Sequence, residues 1–94
     1  IIMGDFNCYL EDNLFNIIRE EETNNTCFNV CYDNIKNNIL GTFHYFKGGY
    51  EGKIIDYILY SKEYEIKSLN IDDRKIDGGY PSDHYPVICK LELK

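Results

Sequence analysis

The chain has 94 residues, which is enough for one small domain and too few for two. Its composition, 44% hydrophobic and 28% charged, is typical of a globular protein and argues against a disordered one. The net charge is −6, and basic residues never occur in a run longer than two, which argues against duplex nucleic-acid binding. Apolar runs stay well short of the roughly 18 residues that a membrane-spanning helix needs.

The N-terminal region is predicted to contain the end of one strand and one helix. Residues 1–3 are an apolar run stopped by Gly4, which is typical of the end of a buried strand. Because natural domains rarely begin so close to a polar loop, we interpret residues 1–94 as a single partial domain, the C-terminal part of a longer one. Residues 11–19 have apolar side chains at helical spacing, with acids near the start and Arg19 near the end, which predicts an amphipathic helix.

Residues 26–38 admit two interpretations. Phe28, Cys31, Tyr32 and Ile35 recur at helical spacing, whereas the β-branched and aromatic content also suits a strand. We favour the helix.

The remainder of the chain predicts antiparallel strands. Residues 42–46 and 53–60 flank a glycine-rich connection suited to a hairpin, and residues 64–71 form a third candidate strand. A long loop over residues 72–82 follows. From Val87 onward, Val87, Cys89, Leu91 and Leu93 fall on one face and Lys90, Glu92 and Lys94 on the other, which predicts a half-buried strand.

The cysteines are irregularly spaced and have no partner pair that would complete a zinc site. We therefore expect structural or free thiols and a reducing compartment, the cytoplasm. The four residues are Cys8, Cys27, Cys31 and Cys89.

The first candidate site segment is Gly-Asp-Phe-Asn at residues 4–7, where the first predicted strand ends. On an extended chain, Asp5 and Asn7 point to the same side. A carboxylate that orients water, beside an amide that hydrogen-bonds a phosphate oxygen, suits attack on a phosphoester. The same residue types also favour a simple turn, so this segment alone leaves both interpretations open.

The second segment is Asp83 and His84, enclosed by Pro81 and Pro86. The prolines stiffen the loop, which helps to hold a catalytic group near its productive geometry. A protonated imidazole can stabilise charge on a pentacovalent phosphorus, and the carboxylate can hold a metal or position water. The alternative is a surface turn with a solvated histidine.

Asp56 lies within an apolar stretch, Ile-Ile-Asp-Tyr-Ile-Leu at residues 54–59. An unpaired carboxylate is costly to bury, so it needs a partner. His84 is the preferred partner, because an aspartate would fix the imidazole tautomer and favour its charged form. The alternative places Asp56 at a sheet edge, paired with Lys53 or Lys62.

Four motifs in order resemble the endonuclease/exonuclease/phosphatase superfamily, the DNase I-like group. They are Gly-Asp-Phe-Asn at 4–7, Gly-Thr-Phe-His at 41–44, Ile-Asp-Tyr-Ile at 55–58 and Pro-Ser-Asp-His-Tyr-Pro-Val at 81–87. The resemblance implies an α/β (α+β) fold, the C-terminal half of a four-layer sandwich, with a mostly antiparallel sheet and one or two helices. It also implies hydrolysis of a phosphomonoester or phosphodiester with Mg²⁺ or Mn²⁺.

The resemblance further implies residue roles. Asp5 would position the attacking water and bind metal, Asn7 would contact the scissile phosphate, and Asp83 would lie at the metal or the water. His84 would stabilise the phosphorane, with Asp56 orienting it. His44 would have either a substrate-binding or a packing role.

The sequence departs from this family by lacking its principal metal-binding glutamate. We therefore expect the isolated chain to bind divalent metal weakly and to have little activity. The acidic balance favours a small phosphoester, or a lipid or sugar phosphate, over nucleic acid. The alternative function is a non-catalytic binding module that keeps the phosphoesterase scaffold and self-associates through an exposed half-sandwich.

Overall fold

The computed structural model describes residues 1–10, 12–19, 28–33, 41–49 and 52–94. Within these residues the chain is a small α+β fold, mostly antiparallel strands with one short helix. The elements in chain order are β1 (Ile2–Asp5), α1 (Asn13–Arg19), β2 (Phe28–Val30), β3 (Asp56–Ser61), β4 (Tyr64–Ile71) and β5 (Val87–Leu93).

A three-stranded antiparallel sheet contains the core. Its strand order is β1-β3-β2, so β3 is central and is buried along residues 57–60. Helix α1 buries Phe15 completely, and the Phe15 ring lies 4.3 Å from the ring of Tyr57. Because an aromatic pair removes a large apolar area from water, this contact fixes α1 against the sheet.

Strands β4 and β5 form a separate two-stranded antiparallel sheet. Its register runs from Tyr64 opposite Leu93 to Ile71 opposite Val87, with one irregularity near Ile66. Alternate apolar side chains of both strands pack against the core cluster. The bounds predicted for β4 and the alternation predicted from Val87 are both confirmed, although Leu93 at the strand end is 73% exposed.

The predicted helix over 11–19 is confirmed as α1 for residues 13–19. The predicted helix over residues 26–38 is wrong where the chain is described, because residues 28–30 form β2 and residues 31–33 form a turn. Pairing of Phe28 with Ser61 and of Val30 with Leu59 extends the sheet, and this tertiary pairing overrides the helical spacing. Residues 26–27 and 34–38 lie outside the described residues.

The strand at the start of the chain exists, but its predicted burial is wrong. All four residues of β1 are exposed, with Met3 at 67%. Within the described part of the chain, β1 pairs on one side only, with β3.

The predicted strand over 42–46 is also wrong. These residues form an irregular segment with one isolated bridge, between Phe43 and His84. Two bonds still join this segment to the strand expected over 53–60, since the amides of Thr42 and Phe43 both donate to the carbonyl of Lys53.

Candidate active site

The imidazole of His84 and the carboxylate of Asp56 form the centre of the candidate site. His84 Nδ1 lies 2.7 Å from Asp56 Oδ2. Because a carboxylate only accepts hydrogen bonds, Nδ1 is the donor. The two side chains are 27% and 19% exposed, so the pair is largely shielded from water. This is the pairing expected from the apolar surroundings of Asp56.

Two further carboxylates face the other ring nitrogen of His84. Asp5 Oδ2 lies 4.0 Å and Asp83 Oδ1 lies 3.9 Å from Nε2. Both distances exceed hydrogen-bond length, so neither carboxylate occupies Nε2, which can still hydrogen-bond to another group. Asp5 reaches this position because the β1–β3 register sets it directly opposite Asp56. Opposed carboxylates repel each other, and a protonated His84 offsets that repulsion.

The surrounding carboxylates raise the pKa of His84 above its ordinary value. The hydrogen bond with Asp56 is the largest cause; burial opposes it, and the charges of Asp56, Asp83 and Asp5 add to the upward shift. The imidazole therefore keeps its charge closer to neutral pH. In that state Nε2 can donate to an oxygen that gains negative charge.

The backbone around Asp56 is fixed by two hydroxyl groups. The Tyr32 hydroxyl donates to the Asp56 carbonyl at 2.6 Å. Thr42 Oγ1 accepts from the amides of Ile55 and Asp56 at 2.9 and 3.3 Å. Since Thr42 is fully buried, its hydroxyl supplies these amides with an acceptor that water cannot provide.

The same segment holds the loop that carries His84. The Tyr85 amide donates to the Thr42 carbonyl at 2.7 Å, and the His44 amide donates to the Asp83 carbonyl at 2.9 Å. The Phe43 ring lies 5.0 Å from the His84 ring. Residues 41–44, called the bridging segment below, therefore join the start of β3 to the loop of Asp83 and His84.

Two glycines allow the bridging segment to lie close to the residues that lead into β3. A Cβ on Gly41 would lie 1.8 Å from the carbonyl oxygen of Gly52, and a Cβ on Gly52 would lie 1.7 Å from the carbonyl oxygen of Phe43. Both neighbours are backbone atoms that cannot move aside cheaply. Any larger residue at either position would push the bridging segment away from β3.

Sequence reasoning missed the roles of Thr42 and Tyr32. A hydroxyl inside an expected strand gives no periodic signal, and Tyr32 lay within an expected helix. Gly41 and Gly52 offered a hint that two backbone segments meet, because glycine is compatible with close approach of backbones.

Asn7 lies beside Asp5, but in a turn. The backbone amide of Asn7 donates to Asp5 Oδ1 at 2.9 Å, and the φ of Asn7 is 53°, in the left-handed region. The extended arrangement expected for residues 5–7 is therefore wrong, and the turn alternative describes the backbone. Both side chains still border one pocket together with His84.

His44 lies elsewhere, in an aromatic cluster. It is 4% exposed and its ring stacks 4.1 Å from the ring of Tyr85, with Tyr80 at 4.7 Å. Nδ1 accepts from the Gly48 amide at 3.3 Å, and Nε2 has no partner among the described residues. His44 does not border the pocket beside His84. Its surroundings match the packing alternative.

The pocket beside this site has a volume of about 430 Å³. One wall is polar and contains Asp5, Asn7 and His84. The remaining lining residues are the aromatic Tyr9, Phe43 and Tyr45, together with Lys53, Gly52 and Ile55. This size falls within the range of small-molecule sites.

A group of potential metal ligands coincides with the site. Asp5, Asp56 and His84 each offer one ligand atom, and these atoms lie within 4.8 Å of one another. Asp83, expected as a ligand with Asp5, is not part of this group, although it lies 3.9 Å from His84 Nε2.

The described cysteines are free thiols, as expected; Cys27 lies outside the described residues. Burial raises the pKa of the Cys31 thiol to about 11, which makes it unreactive at neutral pH. The other two are Cys8 and Cys89.

None of the helices in the described part of the chain has the length and apolarity that a membrane crossing requires.

Comparison of the chain with protein-family models, with curated proteins and with solved structures finds no match.

Proposed function

We propose that this chain is the His84-containing part of a metal-dependent phosphoesterase that hydrolyses a phosphoester by water attack. One observation carries the proposal: His84, hydrogen-bonded to Asp56 through Nδ1, directs Nε2 toward Asp5 and Asp83 beside a pocket. A half-buried aspartate that fixes an imidazole in this way is typical of a catalytic site.

In this proposal each side chain has a distinct role. Asp5 accepts a hydrogen bond from the attacking water and orients it. The side-chain amide of Asn7 binds a non-bridging phosphate oxygen. His84 donates from Nε2 to the oxygens of the pentacovalent phosphorus, where negative charge develops. Asp56 holds the imidazole in the required tautomer and orientation.

A divalent cation would supply charge neutralisation at the phosphate when bound. Carboxylate oxygens are the ligands that Mg²⁺ and Mn²⁺ prefer, and of the expected pair Asp5 and Asp83 only Asp5 belongs to the group of potential ligands. Asp56 is already engaged by His84, which leaves few oxygen ligands for a cation that takes about six. The described residues therefore fit a weak site, and we expect an affinity weaker than micromolar. Titration calorimetry of this chain with Mg²⁺ tests this, and micromolar binding would contradict it.

The proposed substrate is a small phosphoester, with lipid or sugar phosphates favoured over nucleic acid. The net charge of −6 and the absence of basic clusters in the sequence support this preference. Free thiols at Cys8, Cys31 and Cys89 support a reducing compartment, and we propose the cytoplasm.

A non-catalytic binding module is the second candidate. The exposed apolar side chains Ile2 and Met3 on edge strand β1 favour it, because such an edge invites pairing with another chain. Sedimentation at increasing concentration distinguishes the two: reversible self-association through β1, removed by Met3→Lys, together with no hydrolysis, supports the binding module.

Hydrolysis of a generic phosphodiester tests the enzymatic proposal. The protein in its natural length is assayed with Mg²⁺ or Mn²⁺, and again with EDTA. Metal-dependent turnover that EDTA abolishes is the expected result. Absence of turnover with either metal would refute the proposal.

A further inference from the structure

The pocket beside His84 has aromatic walls whose rings are exposed to solvent. Tyr45 is 68% exposed and Tyr9 is 46% exposed, although both border a pocket of about 430 Å³. Exposed aromatic rings that surround a cavity leave apolar surface to be covered by a ligand. Their position beside His84 places that ligand next to the proposed reacting phosphorus.

The ring of Tyr45 is held in place by other aromatic rings. The centroid of Tyr45 lies 4.2 Å from that of Phe43 in an edge-on contact, and Phe43 in turn lies 5.0 Å from His84. The three rings form a continuous series that ends at the imidazole. Tyr45 therefore packs by one edge-on contact against Phe43 and keeps most of its ring surface exposed.

The backbone of this pocket adopts costly conformations. Asn7 and Tyr45, both on its walls, have φ values of 53° and 56°. A tyrosine in the left-handed region is uncommon, and such conformations concentrate at ligand sites. Tyr45 combines this uncommon backbone conformation with a place in the lining of the pocket beside His84.

The same pocket carries a positive charge. Lys53 is exposed on its wall, with Nζ 5.6 Å from the centroid of the Tyr9 ring. In a chain of net charge −6, a lysine that lines the same pocket as His84 favours an anionic ligand. A phosphoryl group between His84 and Lys53 would leave its ester substituent beside the aromatic walls.

We propose that this pocket recognises a planar aromatic ring esterified to the substrate's phosphoryl group. The ring stacks on Tyr45 while Lys53 and His84 bind the phosphoryl oxygens. This proposal rests on the proposed function for its catalytic meaning, but the recognition itself is a binding property. It makes the small phosphoester of the proposed function an aryl or nucleobase-bearing compound, in place of the lipid or sugar phosphates that the net charge alone favours.

Binding without turnover tests the proposal. The protein in its natural length is titrated in EDTA with phenyl phosphate, cyclohexyl phosphate and glucose 1-phosphate, and amide shifts give each Kd. Cyclohexyl phosphate matches phenyl phosphate in size and charge but is not planar. We expect phenyl phosphate to bind about tenfold more tightly than either of the others, as ring stacking predicts.

Two matched variants locate the ring. Tyr45→Leu should remove the preference for phenyl phosphate. Phe46→Leu should keep it, because Phe46 is 60% exposed and has a similar φ of 64° but does not border the pocket. Both positions are exposed, so the fold should survive, and the amide spectrum checks this. Lys53→Gln should weaken all three phosphates by a similar factor.

The outcomes separate this proposal from the enzymatic one. Equal affinity for the phenyl and cyclohexyl compounds, no binding at all, or an unchanged preference in Tyr45→Leu would overturn the aromatic subsite. A preference for phenyl phosphate that depends on Tyr45 supports the subsite even if the protein hydrolyses nothing, and in that case only the phosphoesterase proposal fails. For a nucleobase as the natural ring, cytidine monophosphate should compete with phenyl phosphate; failure to compete would restrict the subsite to simple aryl groups.

Discussion

The β4–β5 sheet and the site end of the molecule are held together in different ways. The β4–β5 sheet has a nearly continuous backbone ladder from Tyr64 to Ile71, and most of its side chains are at least partly exposed. The site end, residues 41–44, 52–55 and 81–86, has a single isolated bridge between Phe43 and His84. Its segments are otherwise connected by individual hydrogen bonds such as those of Thr42. Geometry in the first region is shared among many equivalent bonds, whereas in the second it depends on a few.

The difference predicts unequal tolerance to substitution. Losing one side chain in a ladder leaves the backbone bonds on either side, so the free energy of unfolding changes little. Losing one member of the site network leaves a buried donor or acceptor without a partner, which costs about 1–3 kcal/mol. The site should therefore fail before the β4–β5 sheet does.

The largest expected effect is on catalysis. In the natural-length protein, the proposed phosphoesterase function predicts that His84→Ala lowers kcat by about 10²–10³, because the variant lacks the group proposed to stabilise charge in the transition state. His44→Ala provides the comparison, since His44 packs in the aromatic cluster away from the pocket. It should lower the melting temperature, and its kcat should fall by much less than that of His84→Ala. Near-normal turnover by His84→Ala would refute its assigned role.

The next effect tests the close approach of the bridging segment to β3. Gly52→Ala introduces a Cβ that would overlap the carbonyl oxygen of Phe43, and should cost about 2–3 kcal/mol in the free energy of unfolding. Gly79→Ala is the matched control, because a Cβ there meets nothing within 4 Å. Urea denaturation of both variants gives the comparison. Equal stabilities would show that the two backbones are not in close contact.

A smaller effect is expected at Thr42. Thr42→Val keeps the shape but removes the acceptor of the Ile55 and Asp56 amides, and should cost about 1–2 kcal/mol. Thr42→Ser keeps the hydroxyl and should lose less. If serine destabilises the protein more than valine does, the methyl group rather than the hydroxyl holds the bridging segment.

The smallest effect is expected in the β4–β5 sheet. Lys67 pairs with Glu65 and Glu92 at 3.2 and 3.7 Å, and both partners are more than half exposed. Exposed ion pairs of this kind contribute little. Lys67→Ala should leave the denaturation midpoint unchanged within error and leave the His84 resonances in place. A clear loss of stability would show that the β4–β5 sheet is no more tolerant than the site end.

The elements that local pattern determines were predictable from the sequence. Alternation fixed β5 from Val87, and the pairing of Asp56 with His84 followed from the cost of an unpaired carboxylate among apolar neighbours. The strand β2 was not predictable, because Phe28 and Cys31 fit helical spacing equally well and only pairing with β3 decides between them.

Features that depend on distant contacts escaped sequence reasoning. The burial of Thr42 and the left-handed backbone of Tyr45 arise where separate segments meet, and neither residue type signals them. The exposure of β1 escaped for the same reason, since an apolar run predicts burial without saying which layer would cover it.

The raised pKa of His84 links the site to stability. Its pKa in the folded chain lies above the ordinary value of 6.5, so the folded protein holds this proton more tightly than the unfolded one. The stabilisation is fully present below pH 6.5 and is lost as the pH rises through the raised pKa. Asp56→Asn should remove the largest cause of the shift, and with it most of this pH dependence of unfolding.

An NMR titration of the His84 imidazole in the wild type and in Asp56→Asn tests the central pair most directly. Asp72→Asn is the control, because Asp72 pairs with Arg74 and not with His84. The geometry predicts a His84 pKa above 6.5 in the wild type and in the control, and a clear fall in Asp56→Asn. A His84 pKa that is ordinary in the wild type, or unchanged by Asp56→Asn, would contradict the Asp56–His84 pair on which the proposed function depends.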